Sequence, residues 1–147
     1  MSKLNLPYYS LKTSVVDGRL CVYDDWRHRY VPLTPEEEVR QVFLHYLVDV
    51  CGYPHGRIST EQMVEVNGMR KRADAVVYNS KGMPYIILEF KSPDVTLNQK
   101  VFDQVAVYCR ELCVDYFILS NGVKHYACYI NRDERRYEFM DSFPAIL

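Results

Sequence analysis

The sequence predicts an α/β fold, a mixed β-sheet flanked by helices, and three observations carry that expectation. Two segments, 34–50 and 94–113, place apolar residues at helical spacing. The runs between and after them are short, rich in Val, Ile, Tyr and Phe, and either alternate or stay continuously apolar, as half-buried and fully buried strands do. Helices interleaved with strands in the order αβββαβ pack onto the faces of a sheet. The 147 residues, 48% hydrophobic and 25% charged, have the balance of a globular domain. A chain of that length buries roughly two-thirds of the surface its unfolded form exposes. We read 1–147 as one domain: a β-rich arm at 1–33, a core at 34–130 and a C-terminal extension at 131–147.

The arm contains Val15-Val-Asp-Gly-Arg-Leu-Cys-Val-Tyr23, in which Asp17-Gly18 is a hairpin turn signal between β-prone runs. Residues 26–32 add another extended piece. Thr34-Pro-Glu-Glu-Glu-Val-Arg-Gln41 then starts a helix, with Thr34 as N-cap, Pro35 in the first turn and acids facing the positive end of the dipole. Val39, Val42, Phe43, Tyr46, Leu47 and Val50 form its apolar stripe, and Gly52-Tyr-Pro-His-Gly56 ends it. Glu37, three residues after Thr34, reads first as a capping-box partner. Glu36 falls on the flank of the stripe, where a carboxylate could reach the sheet.

Gln62-Met-Val-Glu-Val-Asn67 is a short strand and Gly68 a turn. Two strands follow, at 72–78 and 85–91, joined by the loop 79–84. Ser92-Pro93 stops the second, because Pro cannot continue a central ladder. Residues 94–113 form a helix with Val101, Val105, Tyr108, Cys109 and Leu112 on its apolar face. Gln104 and Tyr108 lie one turn apart on an edge of that face and project together. Tyr116-Phe-Ile-Leu-Ser120, the turn Asn121-Gly122 and Lys124-His-Tyr-Ala-Cys-Tyr-Ile130 make a final hairpin, and 135–139 reads as one more strand.

Composition narrows the function. Five Cys at 21, 51, 109, 113 and 128 form no CxxC pair and no disulfide framework. They read as reduced thiols in a cytoplasmic protein. The start of the chain lacks a signal-peptide core, and no stretch approaches the ~18 apolar residues of a membrane span, so no membrane partner is expected. The formal net charge of −1 gives no cationic field, so a nucleic-acid partner would be held by local patches. Arg70-Lys-Arg72, Arg27-His-Arg29 and Arg132 with Arg135-Arg136 are candidates, and Arg72 is expected, with Gln104 and Tyr108, to bind substrate.

That site comes from the hairpin. In a strand alternate residues share a face, so Glu89 and Lys91 point one way, as do Asp74, Val76 and Tyr78. If Tyr78 pairs with Tyr85, Asp74 lies directly opposite Glu89. Two carboxylates roughly 5–8 Å apart in apolar strands repel unless a cation lies between them. Mg²⁺ fits, being a hard ion commonly held by one or two carboxylates with waters and substrate phosphates. The backbone carbonyl of Phe90 or the carboxylate of Glu36 could add a ligand. Lys91 is placed to orient a water or to offset charge on a phosphoryl transition state. The chemistry this permits is metal-assisted phosphodiester hydrolysis. A surface ion pair of Glu89 with Lys91 is the plain alternative, worth at most ~1 kcal/mol, but ionisable groups seldom occupy a buried strand without a task.

The ordered set Thr34-Pro-Glu-Glu-Glu-Val-Arg-Gln41, Arg72-Ala-Asp74, Glu89-Phe-Lys-Ser-Pro93, Asp103-Gln-Val-Ala-Val-Tyr108 and Ser120-Asn-Gly122 resembles the nuclease domain at the N-terminus of type I restriction enzyme R subunits. That domain is part of the PD-(D/E)xK nuclease superfamily, in its RecB-like branch, and the likeness covers about residues 20–130. It implies a restriction-endonuclease-like core acting on DNA, with Mg²⁺ as cofactor and Mn²⁺ as a substitute. It also implies Asp74 and Glu89 as metal ligands, Lys91 as the catalytic lysine, Glu36 or Glu37 as the first-helix acid, and Gln104 with Tyr108 as the Q-xxx-Y pair. Ala73 stands where the superfamily name has Pro, a tolerable change because the ring does no chemistry. The chain contains no G-x-x-x-x-G-K-[ST] phosphate loop, so it lacks the motor of an R subunit and reads as a fragment or a free-standing relative.

The leading expectation is therefore a Mg²⁺-dependent DNA endonuclease acting with other restriction-modification subunits. Two alternatives are a catalytically silent DNA-binding or assembly module on the same fold, and a phosphodiesterase acting on a substrate other than DNA. No element reads major-groove bases recognisably, so target choice would come from a partner or from DNA structure.

Overall fold

The computed structural model describes residues 4–66 and 68–146. Its first three strands, β1 (Thr13–Val16), β2 (Arg19–Asp24) and β3 (Arg29–Pro32), form a small antiparallel sheet of their own. The β1–β2 turn is the expected one: Val16 pairs with Arg19, and Asp17 and Gly18 both have positive φ. Two left-handed residues match the turn to the twist of the strands.

The helix α1 (Pro35–Asp49) begins where the cap signal places it, with the Thr34 side chain accepting from the Glu37 N–H. It is more deeply buried than its stripe implies. Glu37, Arg40, Gln41 and His45 are buried beside Val39, Phe43 and Leu47, whereas Val50, expected in the stripe, is exposed. The small sheet and the segments near both ends of the chain cover the faces of α1 that periodicity assigns to solvent. On the C-terminal side, the Tyr53 and Tyr85 hydroxyls donate to the carbonyls of Pro144 and Ala145, each at 2.6 Å.

A six-stranded sheet follows, in spatial order β4 (Ile58–Val66), β5 (Met69–Tyr78), β6 (Pro84–Phe90), β7 (Tyr116–Ser120), β8 (His125–Asn131) and β9 (Arg136–Met140). All neighbours are antiparallel except β6 and β7, which run parallel and are joined by the crossover helix α2 (Gln99–Leu112). The sheet is thus mixed, with α1 on one face and α2 on the other. Ala75, Val77, Ile86, Leu88 and Phe90 pack toward α1, and Val76, Ile87, Phe117 and Leu119 toward α2.

Several boundaries differ from expectation. The second helix starts at Gln99 rather than residue 94, because Ser92 and Asp94 are tied in a turn and Asn98 is the cap that accepts from the Val101 N–H. Its buried face uses Phe102 and Ala106, while Val101 and Tyr108 are only half-buried. The strand β4 is longer than the segment 62–67, whose last residue, Asn67, lies outside the described residues. The pairing of β5 with β6 has the expected register from Ala75↔Leu88 to Val77↔Ile86, then shifts at a bulge so that Tyr78 faces Pro84 instead of Tyr85.

One irregularity places the site. The β4–β5 ladder passes from Thr60↔Ala75 to Gln62↔Ala73 and leaves Glu61 and Asp74 unpaired between them, with Glu61 at φ 51°. On one side of this break Ile58 and Ala75 pack toward α1; on the other Val64 and Ala73 pack toward α2. Strict alternation would keep each pair on one face. The hairpin therefore turns over at Glu61 and Asp74.

Candidate active site

Asp74 lies at this break. Its Oδ2 accepts from the Phe90 N–H at 2.8 Å, which brings the end of β6 to it. Continuing the β5–β6 register one step past its last pair, Ala75↔Leu88, sets Asp74 opposite Glu89, close enough for the two carboxyls to act on each other. Burial, and next the charge of Asp74, raise Glu89 well above the usual carboxylate range, while the Tyr108 hydroxyl and Lys71 oppose the rise. The Tyr108 hydroxyl donates to Glu89 Oε1. Burial and then Glu89 hold that phenol far above its ordinary value, so it remains a donor.

Glu89, Lys91, Gln104 and Tyr108 line one cleft of about 580 Å³, together with Arg70 and Lys71. Lys71 Nζ lies 4.7 Å from the centre of the Tyr108 ring, a cation–π contact. Gln104 is exposed at the rim. The first-helix acids separate clearly. Glu36 is half-buried, and its carboxyl is raised by burial and next by Asp74, with Arg40 and Lys91 opposing; it therefore faces the site. Glu37 is buried and turned away: it meets Arg27 at 3.2 Å and Arg40 at 3.3 Å and accepts from Gln41. Arg72 is not part of the cleft lining, and its Nε lies on Glu61 at 2.9 Å.

The donor set suits a hard divalent cation. Asp74 and Glu89 bring carboxylate oxygens together in a half-buried place, with the Phe90 main chain alongside and Glu36 on the flank. Among the described residues no three His, Cys, Asp or Glu side chains converge closely enough to form a complete cage.

Of two further residues near the site, the sequence reading named Lys71 only as part of the basic run 70–72 and did not single out Arg40. Lys71 belongs to a basic run, but alternation aligns Arg70 and Arg72 with Asp74, and only the turnover at Glu61 sends Lys71 to the Tyr108 side. Arg40 follows Glu36 and Glu37 by about one helical turn, the spacing that puts them on neighbouring parts of the surface. Without the fold, nothing marked it as buried.

The type I restriction enzyme R protein N terminus is the family whose model matches, over residues 35–144. The chain belongs to that family. A fragment structure assigned to the HsdR subunit of a type I restriction enzyme from Vibrio vulnificus YJ016 has the same fold, with a TM-score of 0.54 and 18% identity over 76% of this chain. The match spans 24% of that fragment, so the R-protein N-terminal chain described here corresponds to about a quarter of it. A protein assigned as a nuclease from Anabaena variabilis ATCC 29413 aligns with TM-score 0.47 and 13% identity, over 93% of this chain and 80% of its own. A DrdV–DNA complex aligns with TM-score 0.46 and 23% identity, over 74% of this chain and 11% of its own. No curated protein matches the chain. Among the described residues no helix is long and apolar enough to cross a membrane.

Proposed function

We propose that this R-protein N-terminal domain is a Mg²⁺-dependent deoxyribonuclease that cuts within DNA and works with other restriction-modification subunits in the cytoplasm. The observation that supports it most is the approach of Asp74 to the end of β6 at a break in the sheet, with Glu89 and Lys91 lining one cleft. The family supplies the restriction context and the choice of DNA.

In this reading Asp74, Glu89 and the Phe90 carbonyl would hold the ion, with Mn²⁺ as a substitute, and Glu36 would contribute from the flank. The bound ion supplies Lewis-acid polarisation of the phosphodiester and a more acidic water. The water oxygen attacks phosphorus and gives up a proton to solvent, the bond from phosphorus to the leaving sugar oxygen breaks, and that oxygen takes a proton from solvent. Lys91 offsets charge on the non-bridging oxygens and orients the water. Tyr108 fixes the orientation of Glu89 through its hydroxyl. Gln104 and Lys71, with Arg70 at the cleft edge, hold neighbouring phosphates or sugars. Arg72, paired with Glu61, would meet DNA only beyond the cleft.

The test is nicking and linearisation of plasmid DNA with Mg²⁺ or Mn²⁺ by the wild type, Lys91→Ala and Asp74→Ala, beside calorimetric titration of the metal. We expect loss of cleavage in both variants, but loss of metal binding only in Asp74→Ala. Equal cleavage by wild type and Lys91→Ala would refute the site. Salt-dependent DNA binding with no cleavage under either metal would instead favour a catalytically silent module.

A further inference from the structure

The ladder break that exposes Asp74 is held by a side chain outside the cleft. Arg40 is buried to 5% relative exposure, and its guanidinium forks across three acceptors on three elements. Nη2 lies 3.3 Å from Glu37 Oε1 on α1, and Nη1 lies 2.8 Å from Glu61 Oε1 on β4 and 3.3 Å from the Asp74 carbonyl on β5. The two residues of the hairpin that leave the ladder, Glu61 and Asp74, are the two that Nη1 touches. A buried polar backbone group outside a ladder requires another partner, and Arg40 is that partner for Asp74.

The arrangement continues outward. Glu37 also receives Arg27, which pairs with the fully buried Asp24 at the end of β2, and Glu61 also receives Arg72. Glu37 and Glu61 therefore each meet a second cation, and Arg40 is the member that links the α1 pair to the hairpin pair. Among the described residues its Nε is buried without a partner, so the side chain is placed by what its two terminal nitrogens reach.

We propose that Arg40 is a positioning residue: by bridging Glu61 and the Asp74 carbonyl it holds the hairpin open at its turnover point and aims the Asp74 carboxylate at Glu89 and the end of β6. This rests on the reading of Asp74 and Glu89 as the metal site. A lysine at position 40 carries the same charge but is a compact point donor, unable to span Glu37, Glu61 and a carbonyl as a planar fork does. Charge alone is thus separable from bridging.

The experiment compares wild type, Arg40→Lys, Glu61→Gln and Asp74→Ala by thermal melting, calorimetric Mn²⁺ titration and plasmid cleavage with kcat and KM resolved. Glu61→Gln weakens the same bridge from a partly exposed carboxylate, so the test stands even if Arg40→Lys does not fold. We expect folded Arg40→Lys to bind Mn²⁺ about tenfold more weakly, as removal of groups that orient ligands commonly does, with kcat falling and KM for DNA little changed. Glu61→Gln should shift the same way by less. A lower melting temperature with unchanged Mn²⁺ affinity and kcat in both folded variants would overturn the inference while leaving the site intact, provided Asp74→Ala abolishes binding. Equal Mn²⁺ binding by wild type and Asp74→Ala, or none by wild type, would overturn the site and the inference together.

Discussion

Asp24 has no exposed surface, yet it carries charge. Burial acts to raise its carboxyl, but the Arg27 side chain and the backbone N–H groups of Trp26 and Arg27 outweigh it and leave the group below its ordinary 3.8. A carboxyl lower in the folded than in the unfolded chain adds stability that is complete above the unfolded value and disappears as pH falls through the folded one. We therefore predict that wild type loses stability below about pH 4 more steeply than Asp24→Asn does. At neutral pH the variant should be less stable by roughly 2 kcal/mol, because the buried acceptor is lost and half-buried Arg27 is left with Glu37 alone. Urea unfolding from pH 2.5 to 7 measures both; parallel curves for the two proteins would refute the account. The same scale shows what sequence can reveal. The facing of Asp74 and Glu89 followed from hairpin register, a local property, and was legible. The aim of Lys71 toward Tyr108 depends on one residue, Glu61, at φ 51°, and no composition or spacing marks a Glu for that conformation. The neighbours of Arg40 come from α1, β4 and β5, separated along the chain, so its burial could not be read from α1 alone.

Among the elements, the helices show the same division. The start of α1 was legible because its cap is local: Thr34 accepts from the Glu37 N–H at 3.0 Å. Its buried faces were not, because they depend on what covers them. Part of that cover is the segment at Leu4 and Asn5, which runs against the β7–β8 turn, with the Asn5 N–H donating to the Gly122 carbonyl at 2.8 Å. Gly122 has φ +86°, and a Cβ there would come within 2.7 Å of Leu4 and 2.9 Å of Val39. Both backbone conformation and space thus call for glycine. Gly122→Ala should cost about 2 kcal/mol, combining left-handed strain with overpacking against α1. The loss should appear in thermal melting with little change in metal affinity, since β6 and Asp74 are not in contact with the inserted methyl. A variant as stable as wild type would show that this turn does not fix the N-terminal segment against α1.

Over the whole molecule, a net charge of −1 leaves no general attraction for DNA, so the distribution of charge decides where a polyanion can approach. Several basic groups are committed to acids: Arg27 and Arg40 inside the fold, Arg72 on Glu61, Arg132 on Asp115, Arg136 on Glu134. The cleft wall presents Arg70, Lys71 and Lys91. Arg70 also meets Glu65 at 3.2 Å, an exposed pair of little strength that a phosphate can displace. Only a few phosphates can then be neutralised, and the dependence of DNA affinity on salt should be shallow, since each neutralised phosphate adds roughly 0.9 to the slope of log K against log salt on duplex DNA. Lys71→Ala should lower that slope by about one, weakening binding similarly on every sequence. Lys124→Ala, an exposed lysine on the β7–β8 turn outside the cleft lining, should leave the slope unchanged. Fluorescence anisotropy with a short duplex across a salt series measures all three proteins. Equal slopes for wild type and Lys71→Ala would place the DNA path elsewhere, whereas a drop confined to Lys71→Ala would fix it along the wall where Tyr108 meets Glu89.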